Sequence, residues 1–208
     1  MKWYWRLGFI LTLPLAFLFI KVRNRHYLKN GKAIIVCNHT SNFDPILISL
    51  ATLKELYFLA KRELFGVNKF FTWLIKTFNA IPLNREGIDL TALKEVAKIF
   101  NENQKLVIFP EGTRSKNGKL GSFKDGASFL ALRFQVPIIP CIIKGVRESF
   151  IPLIVDQDLK SYGSGKKRLP KIEITFLKPI SIKNFDKWDK KLIKYLTKKT
   201  EERFKENG

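Results

Sequence analysis

His39 and Asp44 stand five positions apart in NHTSNFDP, Asn38 to Pro45. A carboxylate that takes the proton of one imidazole nitrogen fixes the tautomer and leaves the other nitrogen as a general base, able to deprotonate a hydroxyl. On a continuous helix the two side chains would point about 140° apart around the axis, so a turn has to bring them together. Thr40, Ser41 and Asn42 favour such a turn, and Asp44 followed by Pro45 reads as a helix start, with Asp as N-cap and proline at the first position. A helix-opening turn would account for the string without any chemistry, and the two roles can coexist. His26 lies in a basic stretch with no acidic neighbour in sequence, which leaves His39 as the candidate base. The covalent alternative is a nucleophilic Cys37 or Ser41, each two residues from His39 and so on its face of a strand.

A second group is FPEGTRS, Phe109 to Ser115. Pro110 stops a strand, Gly112 lets backbone amides approach a ligand, Thr113 and Ser115 offer hydroxyls, and Arg114 presents a planar fork suited to phosphate. Glu111 has the wrong sign to touch phosphate and is expected to hold Arg114 or the loop. The spaced glycines and lysine of a nucleotide-hydrolysing phosphate loop are missing. Arg85, after AIPLN, is a second cation for the same anion, whereas Lys105 precedes its strand and belongs to the opposite end. No metal site is expected, because Cys37 and Cys141 have no further Cys or His at zinc spacing and lie in apolar runs as buried thiols.

These groups need a scaffold. Short apolar runs at Ala33–Val36, Tyr57–Ala60, Ala80–Leu83, Leu106–Phe109, Ile138–Ile143 and Ile172–Leu177 read as strands. Helical stretches are predicted at Pro45–Leu53, Glu63–Phe78, Ile88–Asn101, Phe123–Phe134 and Asp186–Lys205. The alternation predicts an α/β fold, a single-domain mixed β-sheet flanked by helices. Ligands in such sheets sit beyond the carboxyl ends of strands, and NHTSN, NRE and EGTRS each follow a strand. Ser161–Pro170, rich in glycine and like charges, is expected to be a mobile loop.

The 208 residues carry a net charge of +20, which points to anionic partners: phosphorylated metabolites, acidic lipid or nucleic acid. Residues 1–30 are expected to form an N-terminal helical membrane anchor. The apolar run Leu7–Ile20 is flanked by Trp3, Tyr4, Trp5 and by the basic KVRNR, but it is short for a bilayer span, which takes roughly 20 residues, and contains Pro14. A monotopic anchor on an anionic phospholipid membrane fits better, each basic residue near the surface contributing about 1 kcal/mol. Asn68–Phe78 is either a second interfacial surface or a helix packed on the sheet. Specific nucleic-acid binding is not expected, since the aromatics fall in apolar runs and no recognition motif occurs.

Together, NHTSNFDP, AIPLNR, FPEGTRS and VPIIP resemble, in order and spacing, the four sequence blocks of the glycerolipid acyltransferases, and most closely the 1-acyl-sn-glycerol-3-phosphate (lysophosphatidate) acyltransferases. The likeness covers roughly Ile34–Gly145, within an acyltransferase domain expected over residues 31–208. It implies that His39 is the general base, that Asp44 orients it, and that Arg85, Glu111, Gly112, Thr113 and Arg114 form the glycerol phosphate site. Val136–Pro140 would line the site or the acyl groove. The implied reaction moves a fatty acyl group from an acyl thioester, acyl-CoA or acyl-carrier protein as co-substrate and with no cofactor, to the sn-2 hydroxyl of lysophosphatidate. It yields phosphatidic acid for phospholipid biosynthesis on the cytoplasmic face of the membrane. Glycerol 3-phosphate or another lysophospholipid is the alternative acceptor, and a non-catalytic basic membrane-binding module is the alternative outside enzymology. Two departures stand in the second block, where the family often has glycine and an aromatic: here they are Asn79 and Pro82.

Overall fold

The computed structural model describes residues 18–29, 31–85, 87, 89–115, 117–149, 156, 169, 171–182 and 189–208. Among the described residues the sequence alternation becomes seven strands: β1 (Ile20–Arg23), β2 (Ala33–Cys37), β3 (Tyr57–Lys61), β4 (Ala80–Leu83), β5 (Lys105–Ile108), β6 (Ile138–Lys144) and β7 (Ile172–Phe176). Among the described residues these α-helices accompany them: α1 (Asp44–Thr52), α2 (Lys69–Thr77), α3 (Leu90–Asn101), α4 (Gly126–Phe134) and α5 (Lys190–Asn207). The sheet order is β1-β7-β6-β2-β5-β3-β4. β6, β2, β5, β3 and β4 run parallel, while β7 is antiparallel to β6 and parallel to β1, so the sheet is mixed as expected.

β2 lies between β5 and β6, buried on both faces, and its period of two divides the core. Ile34 and Val36 join a cluster with Val96 and Phe100 of α3, Leu130 of α4 and Leu196 of α5. Ala33, Ile35 and Cys37 join one with Leu47 and Ile48 of α1. Each fully buried aliphatic side chain of β2 contributes roughly 1.5–3 kcal/mol relative to exposure. The helices therefore cover both faces, and the loops leaving β2, β5 and β4 emerge together at the carboxyl end of the parallel strands, where this sheet type binds ligands.

Two expectations change. Ile20–Arg23 lies inside the segment assigned to the anchor, yet it pairs with β7 as an edge strand, Ile20 opposite Ile172 and Val22 opposite Ile174. The rest of the expected anchor, residues 1–17, lies outside the described residues, and among the described residues no helix is long and apolar enough to cross a membrane. The helix expected over Glu63–Phe78 is instead a 3-10 turn, Arg62–Gly66, followed by α2. The loop expected at Ser161–Pro170 lies outside the described residues except for Leu169.

The departures at Asn79 and Pro82 have local reasons. Asn79 takes a left-handed φ of 52°, which asparagine tolerates better than other non-glycine residues, and its amide donates to Glu55 Oε1 and the Leu56 carbonyl. Pro82 sits in β4, an edge strand, where a missing N–H leaves no broken ladder on the open side.

Candidate active site

The chain leaves β2 through Asn38, whose side chain acts as one more rung to β6. Its Oδ1 accepts the Ile143 N–H at 2.8 Å and its Nδ2 donates to the Ile143 carbonyl at 2.9 Å. His39 follows, and both its backbone groups are held by the loop after β5. The His39 N–H donates to Glu111 Oε1 at 3.0 Å, and the Ser115 N–H donates to the His39 carbonyl at 2.8 Å. The other Glu111 oxygen accepts the Gly121 N–H at 2.8 Å. Glu111 is therefore a buried positioning residue behind His39, and it holds the loop rather than Arg114.

Asp44 is fully buried and is the first residue of α1, with Phe43 in the N-cap position. The expected N-cap role is thus corrected: Pro45 keeps its place in the first turn, but the Asp44 carboxylate turns back toward the preceding residues. Asp44 Oδ2 accepts the Thr40 N–H at 2.6 Å and the Ser41 N–H at 2.8 Å, and lies 2.9 Å from His39 Nδ1. A carboxylate oxygen only accepts, so in the neutral ring Nδ1 carries the proton and Nε2 keeps its lone pair. Phe109 stacks on the imidazole at a centroid distance of 4.1 Å and fixes its plane. The His39 side chain remains 18% exposed, enough to meet a substrate.

The covalent alternatives fit poorly. Cys37 is wholly buried, and burial, followed by the hydrogen bond and charge of Cys141, pushes its thiol pKa well up, away from a reactive thiolate. The two thiols are free and face each other across β2 and β6. Ser41 is also fully buried, and its hydroxyl donates to Asp156.

Asp156 was not marked by any motif. It is fully buried, accepts the Asn42 N–H at 2.8 Å, and pairs with Arg114 Nη1 at 2.7 Å. Arg114 thus ties the Phe109–Ser115 loop to the His39–Asp44 turn through a shared carboxylate. Thr113 is exposed on the loop tip.

Arg85 does reach this loop from β4: its Nη1 donates to the Gly112 carbonyl at 2.5 Å. Burial lowers its pKa, opposed by Glu63, but a guanidinium stays charged at physiological pH. A second cation, Lys124, approaches the same glycine. A Cβ on Gly112 would lie 3.1 Å from Lys124 Nζ and 3.4 Å from Arg85 Nη1, and the glycine has φ 73°. Two cations converging on one loop glycine suit an anion, beside a cavity of about 480 Å³ walled by Leu93, Val96, Ile108 and Leu130. Lys124 went unnoticed because nothing in its spacing from EGTRS indicates that the chain folds back, with the Lys124 N–H donating to the Pro110 carbonyl at 2.9 Å. Val136, Ile138 and Ile139 are buried in the core rather than at the site, while the end of the same strand, Ile142–Lys144, lines a second cavity.

Known proteins are similar to this chain in sequence and in fold. A sequence model of the family described as Acyltransferase matches residues 19–144. The chain is 31% identical over 195 residues to a probable 1-acyl-sn-glycerol-3-phosphate acyltransferase of Mycoplasma pneumoniae, covering 86% of this chain and 70% of that protein. It is 36% identical over 118 residues to the 1-acyl-sn-glycerol-3-phosphate acyltransferase of Cocos nucifera, covering 56% of this chain but only 38% of the relative. The crystal structure of the 1-acyl-sn-glycerophosphate (LPA) acyltransferase PlsC from Thermotoga maritima superposes with a TM-score of 0.64 at 26% identity, covering 91% of this chain and 70% of that one. The family match runs from β1 through β6 and takes in the His39–Asp44 pair and the loop that holds it, so the chain belongs to the acyltransferase family.

Proposed function

We propose that the protein transfers a fatty acyl group from an acyl thioester, on coenzyme A or a carrier protein, to the sn-2 hydroxyl of 1-acylglycerol 3-phosphate. The observation that carries this reading is the His39–Asp44 pair, with Nδ1 committed to a buried carboxylate and Nε2 available as a base. Nε2 takes the hydroxyl proton as the oxygen attacks the thioester carbonyl. The C–O bond forms, the C–S bond breaks, and the proton passes from His39 to the departing thiolate. General-base catalysis of this kind is worth about 10² to 10⁴ in rate.

The acceptor side is supported by Arg85 and Lys124 at the mouth of an apolar cavity, a combination that suits a phosphate carrying one acyl chain better than glycerol 3-phosphate alone. A lipid acceptor is met at a membrane, and the net charge of +20 favours an anionic surface. Exposed Trp73 on α2, between Lys69 and Lys76, supports the interfacial reading of Asn68–Phe78. The test is acyl transfer by the purified protein to lysophosphatidate, glycerol 3-phosphate and a neutral monoacylglycerol. Transfer to lysophosphatidate should dominate and fall by about 10² or more in His39→Ala; full activity in that variant would refute the mechanism.

A further inference from the structure

The loop that holds His39 is a wall with a cavity on each side. Phe109, Pro110 and Gly112 face the apolar cavity of Arg85 and Lys124. Glu111 and Ser115 face a larger one of about 670 Å³, which also borders Asn38 and Thr40, the two neighbours of His39. A transfer reaction without a covalent enzyme intermediate needs both substrates at the base together, and the two cavities flank the loop that holds the His39 backbone.

The larger cavity differs in chemistry. Its rim carries Lys119, Lys144, Arg147 and Lys171. Of its carboxylates, Glu111 is occupied by two backbone N–H groups, and Glu173 is paired with Arg23 at 2.5 Å. Among the described residues Glu148 is left to oppose Lys119, Lys144 and Lys171, so the rim attracts anions. The wall is closely built: a Cβ on Gly118 would lie 2.6 Å from Arg147 Nη1, and one on Gly145 would lie 2.0 Å from the Lys171 carbonyl oxygen. Both glycines have positive φ, 77° and 86°, a conformation that lets these neighbours close in.

We propose that this basic cavity receives the phosphate-bearing pantetheine arm of the acyl donor. The two substrates then reach His39 from opposite sides of the Phe109–Ser115 loop, acceptor phosphate at Arg85 and Lys124, donor phosphate at Lys144 and Lys171. This rests on the acyltransferase reading above and adds to it where the donor binds. The phosphopantetheine phosphate is common to coenzyme A and to a carrier protein, so both donors would use the same rim.

The experiment compares the full-length protein with Lys144→Ala/Lys171→Ala and with Lys144→Arg/Lys171→Arg. Donor KM is measured with palmitoyl-CoA and with palmitoyl-carrier protein, and acceptor KM with lysophosphatidate. In parallel, binding of free coenzyme A is followed by calorimetry on His39→Ala protein, with and without the alanine pair. We expect the alanine pair to raise the donor KM about tenfold or more, to leave the acceptor KM within about twofold, and to weaken coenzyme A binding to a similar degree, with the arginine pair restoring most of it. A rise with both donors supports the shared phosphate, and a rise with palmitoyl-CoA alone supports coenzyme A as the donor held there. An unchanged donor KM, or a rise in acceptor KM instead, overturns the assignment. Because coenzyme A binding is read without turnover, it separates failure of this assignment from failure of the acyl-transfer reading, which would show as no transfer by the wild type.

Discussion

At the scale of single residues, one hydrogen-bonded pair and one shared carboxylate decide what the site can do. His39→Ala should lower kcat by about 10² to 10⁴ while leaving acceptor KM close to wild type, since the ring acts on the proton rather than on the phosphate. Asp44→Asn keeps the shape but removes the charged acceptor aimed at Nδ1, so a kcat loss of roughly 10² or more at an unchanged KM is expected in steady-state assays. The two arginines should part company. Arg85→Ala should raise acceptor KM about ten- to a hundredfold, the worth of one charge-assisted hydrogen bond. Arg114→Ala strands the buried Asp156 and should cost about 3–5 kcal/mol in denaturant unfolding, a loss that Arg85→Ala does not share. Equal unfolding midpoints for the two variants would contradict the latch between Arg114 and Asp156.

At the scale of elements, the carboxyl ends of β2, β4, β5 and β6 form the site, and the turns beyond them are under tight backbone control. Gly145, the residue after β6, has φ 86° and leaves no room for a side chain against the Lys171 carbonyl. Gly145→Ala should therefore destabilise by at least about 2 kcal/mol, seen as a fall of roughly 4–8 °C in thermal midpoint. Six strands were legible in sequence because their apolar runs are buried on at least one face. β1 was not, since Ile20 and Val22 alternate with Lys21 and Arg23 at the seam between an apolar run and a basic one, and composition masked a period of two. The break between the Arg62–Gly66 turn and α2 was also hidden by an amphipathic pattern that runs through both.

At the scale of the whole molecule, charge and burial give a pH signature. Lys105 begins β5 at the end of the sheet away from the site, is 4% exposed, and donates to the Gly31 carbonyl. Burial, with the charge of Lys54 in second place, lowers its pKa from 10.5 to about 8. The folded state then binds fewer protons than the unfolded one between those values, so stability rises with pH across that window and the cost of the buried charge is fully present below it. The thermal midpoint of the wild type should therefore gain on that of Lys105→Met as pH rises from about 8 to about 10. A constant difference across that range would show that the amine is not held in this way.

The order of the motifs along the chain was enough to expect the pairing of His39 with Asp44, the loop after β5 and an α/β sheet, because each depends on residue type and on local periodicity. Three things needed the tertiary structure: Asp156 reaching Ser41, Asn42 and Arg114 across more than forty residues of chain, Lys124 turning back onto Gly112, and the loop dividing two cavities of different chemistry. These are contacts between segments distant in sequence. Nothing in local spacing encodes them, and they exist only once both faces of the sheet are packed and its connecting loops are brought to one end.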